Sequence, residues 1–496
     1  MAWLTYCFLS LGRFSLSLTW YTCTMSKKQI PSKKEKPSEW YTTVIQLADL
    51  VDYGPAKGTM IIKPYGYAIW ELVQEAMNKR IKAHGVGNSY FPLFIPMSFL
   101  EKEKDHIEGF APELAIVTHG GGEKLEEALV VRPTSETIMY NSYAKWIHSW
   151  RDLPLMMNQW NNVVRWEKRT TPFLRTSEFL WQEGHTAHAT HEEAIETQKW
   201  AMDMYAEIYR DYFAIDGYVG YKSQSERFAG AANTLTYESI MPSGKALQAC
   251  TSHDLGQHFS EVFNISFQDK DGNESKVWQA SWGLSTRSIG GLILAHGDDN
   301  GLRIPPKIAP IQVVVVPVKL GGKAYSYSAE IVEQLKNMGL RTELDSRDDE
   351  SFGFKVNKWE SKGVPVILKL GDREAEAETI SYRRRDTLED DSFSRKEIQS
   401  FIPTLLNSIQ KDMLAQSTKF RDENTRVAKD YKEFKDIIKQ HKGFVKVHWN
   451  DDPGIEAKIK EETKATSRLR LSEQSDGIDF YTGKPAKDVW LFAQSY

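Results

Sequence analysis

Cysteine is almost missing from this 496-residue chain, which carries three: Cys7, Cys23 and Cys250. Two fall within the first 24 residues and none follows Cys250. A disulfide framework is thereby excluded, as is a thiolate-bound structural metal in the second half of the chain. Charge of one sign is also lacking. The 63 Lys and Arg nearly balance the 67 Asp and Glu, for a formal net charge of -4. That excludes a protein that coats nucleic acid through a global basic field, but not one that reads a single folded RNA through local patches. A long uninterrupted apolar run is missing too. Met1–Thr24 is apolar and aromatic, but Arg13 splits it below membrane-spanning length and it lacks the basic start of a secretory signal. No membrane partner is expected, and the cytoplasm is the expected location.

What is present is the balance of a soluble globular protein, 41% hydrophobic and 26% charged, at a length that calls for two or three domains. A basic, Ser/Pro-rich tail runs from Met25 to Glu39 and reads as disordered; Met25 is the expected true start, with residues 1–39 outside the fold. A first ordered block is expected over 40–303. Ile69, Val73, Ala76, Met77 and Ile81 recur at helical spacing between Pro64 and His84, and Gly85 supplies the stop. A strand-like run, Ser89 to Ile95, follows. A second helix is expected from His191 to Phe213, with Ala194, Ala201, Tyr205, Ile208 and Tyr212 on one face. Strand-like runs at 129–132, 161–166, 176–183, 245–252 and 278–287 do not alternate regularly with helices, which predicts an α+β block on an antiparallel sheet.

Pro305, Pro306 and Pro310 mark a linker. Beyond it Ile311–Val318 is a nearly continuous β-branched run, then a helix (325–338), a strand ending at Asp345, a helix (352–362) and the apolar strand Val364–Leu370. That order predicts a small α/β domain over 304–413 with a mostly parallel sheet. The remainder, 414–496, is expected to form a third, small α+β domain.

Three stretches carry chemistry. In Val163-Val164-Arg165-Trp166-Glu167, Arg165 and Glu167 would share one face of a strand, and Arg175 returns after a short loop. Two guanidinia beside one carboxylate suit a triphosphate, although a cross-strand salt-bridge ladder gives the same pattern. Trp282-Gly283-Leu284-Ser285-Thr286-Arg287 ends a strand with small residues and projects Arg287 where a helix begins. In Arg132-Pro133-Thr134-Ser135-Glu136, a hydroxyl and a carboxylate two residues apart could hold a small ammonium group, or could simply cap the helix Thr137–Trp146.

In this order and spacing the three stretches resemble motif 2, motif 3 and the T-x-E loop of prolyl-tRNA synthetases, class II aminoacyl-tRNA synthetases. The segment Gly58–Pro96 resembles motif 1, which implies a homodimer interface. Trp181-Gln182-Glu183-Gly184-His185 and Cys250-Thr251-Ser252-His253 resemble further stretches of that family's active site, and the resemblance covers the chain from about Trp40 to Tyr496. It implies a class II antiparallel-sheet catalytic domain, an α/β anticodon-binding domain and a C-terminal extension. It implies that proline is activated with ATP and Mg2+ and passed to tRNA(Pro). By position, Arg165 would bind the α-phosphate and the proline carboxylate, and Glu167 the adenine amine and metal-bound phosphates. Arg175 and Thr176 would hold the β/γ end and adenine, Gln248 and Thr251 the nucleoside, and Arg287 the adenine and γ-phosphate. Thr134 and Glu136 would hold the proline nitrogen. Trp181, Glu183, His185, Phe228, His253 and Trp282 would complete the proline site.

Proline's secondary ammonium has two N–H donors, which suits one carboxylate and one hydroxyl. A threonine-specific relative would instead need a Cys/His/His zinc; Cys250 and His253, three apart on a strand, face oppositely, and no metal ligand set is expected. The chain departs from long-tailed relatives in having no zinc cysteines in its last domain, so structural zinc is not expected. It departs from other bacterial-type relatives in having no room for a large editing insertion between Arg175 and Arg287. Arg347 and Arg383-Arg384-Arg385 are candidates for phosphate contact in the anticodon-like domain. The alternative from another class is a non-charging paralogue that binds tRNA or a protein.

Overall fold

The computed structural model describes residues 30–102 and 114–496. The leader Met1–Thr24 and the expected start at Met25 lie outside the described residues. The expectation of a disordered tail is corrected from Ile30 onward. Lys33 Nζ donates to the carbonyls of Leu294 (2.7 Å) and Gly297 (2.6 Å), and its backbone N–H reaches Asp299 at 2.7 Å. Those carbonyls close the helix Arg287–His296, and an ammonium there satisfies groups that no helical partner can reach. The helix Pro37–Leu47 then buries Trp40 and Val44 completely.

An eleven-stranded sheet carries the catalytic block. Its centre is antiparallel, in the order Tyr218–Tyr221, Asn233–Ile240, Ala246–Gly256, Trp278–Ser285, Glu178–His188, Leu155–Val164. The long helix His191–Asp211 packs on one face. It opens with a reciprocal Thr190–Glu193 capping box and buries Ala194, Ala201, Tyr205 and Ile208. Tyr209 takes the buried position expected of Tyr212, which follows the last helical residue. The helix Pro64–Ala83 forms as expected and ends at Gly85, whose φ of 81° a side chain rarely tolerates. The run Ser89–Ile95 is corrected: pairing is confined to Gly87–Asn88 and Phe94–Pro96, on either side of Pro92.

The five-stranded sheet after the linker runs Thr342–Leu344, Val313–Pro317, Val366–Leu370, Thr379–Arg384, Asp390–Ser394. Its first two pairings are parallel and its last two antiparallel, so the sheet is mixed rather than mostly parallel. A single helix, Ile398–Glu423, then runs through position 414, where the sequence suggested a change of domain.

The last segment builds its own core around Phe434, Trp449, Trp490 and Phe492. Its strand Thr466–Ile478 also joins the catalytic sheet, where Arg470 pairs with Tyr221. The junction is tight: a Cβ on Gly220 would meet the Arg470 carbonyl oxygen at 2.1 Å, so only glycine lets the two strands approach. Among the described residues no helix is long and apolar enough to cross a membrane.

Candidate active site

Above the sheet face opposite the long helix lies a cavity of about 1540 Å³. Pleating explains its walls. On Glu178–His188 the alternate residues Trp181, Glu183 and His185 line it, while Gln182 points away and bonds Tyr205 of the long helix. Gly283, opposite Glu183, leaves the space that the Trp181 ring fills; a Cβ there would lie 2.5 Å from it.

At one end two carboxylates and an imidazole are buried together. Glu183 accepts from the Ser135 backbone and hydroxyl and, at 2.6 Å, from Asn161 Nδ2; His185 Nε2 donates to it at 2.9 Å. Burial disfavours its charge, but His185, Ser135 and Asn161 hold the Glu183 carboxyl well below the usual range. His185 Nδ1 lies 3.9 Å from Glu136, and against the opposing effect of burial the two carboxylates raise its pKa. Glu136, 3% exposed, accepts from Thr134 Oγ1, and burial raises its pKa. With His185 charged and both carboxylates ionised the cluster carries one unmatched negative charge, which a cationic ligand completes. These three residues present ligand atoms within 4.8 Å of one another. Glu183 and His185 are already spent on each other and on Ser135 and Asn161, so the arrangement suits an ammonium better than a metal. The helix-cap alternative falls away, because Ser135 at the N-cap makes no cap hydrogen bond and gives its hydroxyl to Glu183.

His253 and Phe228 form a neutral wall beside the cluster, with rings 4.5 Å apart. Burial, helped by His185 and Arg165, lowers the His253 pKa to about 3, and its Nδ1 lies 2.9 Å from Thr234 Oγ1. Trp282 is corrected. It borders the cavity, but its indole packs on Trp200 of the long helix at 5.7 Å and over Gly184, on the far side of the sheet. It supports the floor instead of walling the ligand.

At the other end lie the guanidinia. The strand Leu155–Val164 stops before Arg165, so Arg165 and Glu167 do not alternate on it; both still line the cavity. Arg165 Nε donates to the Pro133 carbonyl at 3.1 Å, and its guanidinium lies 5.2 Å from the Trp181 ring. Arg175 returns as expected and pairs with Glu167 at 2.7 Å. Arg287 opens its helix, and its Nε donates to the Leu174 carbonyl at 3.2 Å. Burial, with Arg175 adding, depresses its pKa, and among the described residues no carboxylate pairs with it. Thr176 lines the cavity with its hydroxyl already given to the Glu178 carbonyl at 2.7 Å.

Gln248 and Thr251 both line the cavity although three residues apart. A bulge explains this. Gln248 pairs with Glu238 and Cys250 with Tyr237, leaving Ala249 as an extra residue that turns Gln248, Thr251 and His253 to one face. Cys250 faces the core with Tyr237, away from His253.

Sequence reasoning missed Ser135 and Asn161, whose polar groups hold Glu183. It also missed Lys222, Arg468, Ser495 and Tyr496, which border the cavity from the last two strands and from the end of the strand Tyr218–Tyr221. Nothing local signals these, because their partners lie up to 253 residues away, as in Tyr496 to Ser243.

Residues 119–296 match the family model of the tRNA synthetase class II core domain (G, H, P, S and T), 312–405 an anticodon binding domain and 431–496 the prolyl-tRNA synthetase C-terminal domain. The proline–tRNA ligase of Rubrobacter xylanophilus is 49% identical across 95% of this chain and 100% of its own length. The chain belongs to the prolyl-tRNA synthetase family. It is therefore an aminoacyl-tRNA ligase. The chloroplastic and mitochondrial proline–tRNA ligase of Arabidopsis thaliana is 47% identical over 95% of this chain and 89% of its own. The crystal structure of the Cryptosporidium parvum prolyl-tRNA synthetase complexed with halofuginone and AMPPNP superposes with a TM-score of 0.90 at 40% identity. It covers 94% of this chain and 99% of that one. These relatives support charging and lend nothing to the non-charging alternative.

Proposed function

We propose that this synthetase activates L-proline with ATP in the 1540 Å³ cavity and esterifies it to tRNA(Pro), with its two ends dividing the work. The observation that carries the assignment is the buried Thr134–Glu136–Glu183–His185 cluster, two carboxylates sharing one imidazole, which stands beside Arg165. Prolinium favours an ionised Glu136: its two N–H groups meet Glu136 and Thr134, and its ring lies against Trp181, Phe228 and His253. Arg165 holds the carboxylate and the α-phosphate together.

The proline carboxylate is anionic and needs no general base. An oxygen attacks the α-phosphorus and pyrophosphate leaves, so positioning and charge neutralisation supply the acceleration. Arg175 and Arg287 hold the polyphosphate, and Gln248 and Thr251 the nucleoside. Glu167, paired with Arg175, is the carboxylate at the polyphosphate end that would hold a Mg2+, which when bound would supply neutralisation of phosphate charge.

The 312–405 domain binds the anticodon end of the tRNA. The protein works as a homodimer in the cytoplasm, joined through 58–96, where Ile61, Tyr67, Tyr90 and Phe94 leave large apolar surface exposed. Replacing Glu136 by Gln tests the proline end. Proline KM in pyrophosphate exchange is expected to rise at least about tenfold with ATP KM unchanged, and an unchanged proline KM would overturn the assignment.

A further inference from the structure

The C-terminal domain enters the catalytic sheet with a buried ion-pair network. Arg468, on the strand Thr466–Ile478, grips Glu238 with Nε at 3.1 Å and Nη2 at 2.9 Å. Lys222 Nζ donates to the same carboxylate at 2.7 Å. Beside them Glu456 of the C-terminal domain accepts from Ser223 Oγ and from the Ser467 backbone, each at 2.9 Å. Glu238, Arg468, Lys222 and Glu456 are 0%, 4%, 7% and 3% exposed, so charges from both domains are taken out of water together. Each domain contributes one cation and one anion, and the Arg468–Glu238 pair and the Ser223–Glu456 hydrogen bond cross the seam.

Glu238 occupies a particular place. It is the direct cross-strand partner of Gln248, at the bulge formed by Ala249. Its neighbour Thr236, opposite Thr251, has its hydroxyl 3.3 Å from Glu238 and 3.3 Å from the Cys250 carbonyl within the bulge. A bulge leaves backbone without regular pairing, so its conformation depends on what braces it. Here the brace is a carboxylate held at two points by an arginine from another domain.

We infer that Arg468 is a positioning residue for ATP: through Glu238 it fixes the bulge that turns Gln248 and Thr251 toward the nucleoside. The C-terminal domain thus acts on the first step of the reaction through the bulge. The inference rests on the assignment of Gln248 and Thr251 to the nucleoside. It sets the nucleoside end apart from the proline end, where His253 on the same strand is held separately by Thr234.

The test is proline-dependent pyrophosphate exchange with the full chain, comparing wild type, Arg468→Ala, Arg468→Lys and Gln248→Ala. Arg468→Ala keeps Glu238 paired with Lys222, so the carboxylate is not orphaned. It is expected to raise ATP KM about tenfold while proline KM stays within about twofold. Arg468→Lys, which keeps the charge but not the two-point grip, is expected to fall between. An unchanged ATP KM in Arg468→Ala, alongside a raised one in Gln248→Ala, overturns the inference and leaves the nucleoside assignment standing. Equal rises in both constants also overturn it, since they mark a general loosening. An unchanged ATP KM in Gln248→Ala refutes the nucleoside assignment, and the inference with it. Should Arg468→Ala fail to fold, Arg468→Lys decides alone by the same selectivity.

Discussion

Arg287 in the catalytic cavity keeps different company from the guanidinium groups of the 312–405 domain, although Arg175 beside it pairs with Glu167. Arg165 and Arg287 donate to main-chain carbonyls, of Pro133 and Leu174, and turn toward the cavity. In the other domain Arg383 bonds Asp390 and Glu360, Arg384 bonds Asp386 and Asp412, and Arg347 bonds Asp345 and Glu350. Arg385, 1% exposed, makes a two-point pair with Asp298 and gives Nε to the Glu360 carbonyl. The candidates for phosphate contact are thus each paired with carboxylates within the fold, and Arg385 ties this domain to the catalytic one. At Arg287 the Leu174 carbonyl orients the guanidinium without cancelling it, whereas a carboxylate neutralises one. Local sequence does not separate the two cases.

That contrast can be broken by substitution. Arg287→Ala and Arg165→Ala should each lose at least about a hundredfold in proline-dependent pyrophosphate exchange, about 3 kcal/mol, as when a preorganised charge leaves a phosphoryl-transfer site. Arg384→Ala should stay within about twofold in the same assay. Comparable losses in all three would erase the distinction.

Arg385→Ala should act on stability instead. Breaking a mostly buried pair costs about 3 kcal/mol or somewhat less, because Asp298 retains 31% exposure. Denaturant unfolding should report this while kcat at saturating substrate holds, and an unfolding midpoint equal to wild type would contradict the strut.

Histidines show the same division. Carboxylates raise the pKa of His185 against the opposing effect of burial, whereas His253 and His296 are buried neutral with pKa values of about 3. In the unfolded chain a histidine takes its proton near pH 6.5. Between those values the unfolded state binds protons the folded state refuses, so stability falls as pH falls from about 6.5. Each of the two should cost about 2 kcal/mol by pH 5. His185 runs the other way: its contribution is present at low pH and is lost as pH rises through its raised pKa. Denaturation at pH 7 and pH 5 checks the sum, and equal stabilities would refute it. The smallest expected effect is none at all: elemental analysis should find no stoichiometric zinc, since Cys250 faces the core and cannot join His253.

Much of this was legible in the sequence because it follows from period and spacing. The order of the motifs resembled one family, that resemblance implied Trp181, Glu183 and His185, and the Thr134–Glu136 pair left an ammonium site and a helix cap both open. What was not legible depends on partners remote in sequence. Trp282 looked like a ligand wall until the opposing Gly184 and Trp200 showed which face it takes. The Ala249 bulge has no signature of its own, and Arg468 meets Glu238 across 230 positions. The arginine run looked basic because its carboxylates, apart from Asp386 and Asp390, come from other elements.

The central claim is that the cavity activates proline with ATP. Exchange of radiolabelled pyrophosphate into ATP, measured with each of proline, threonine and alanine, tests it most directly. Proline should support rapid exchange that Arg287→Ala abolishes, threonine none, and alanine about a hundredfold less than proline, as lost contact with a smaller side chain dictates. Exchange that is absent with proline, or indifferent to the amino acid, would contradict the account.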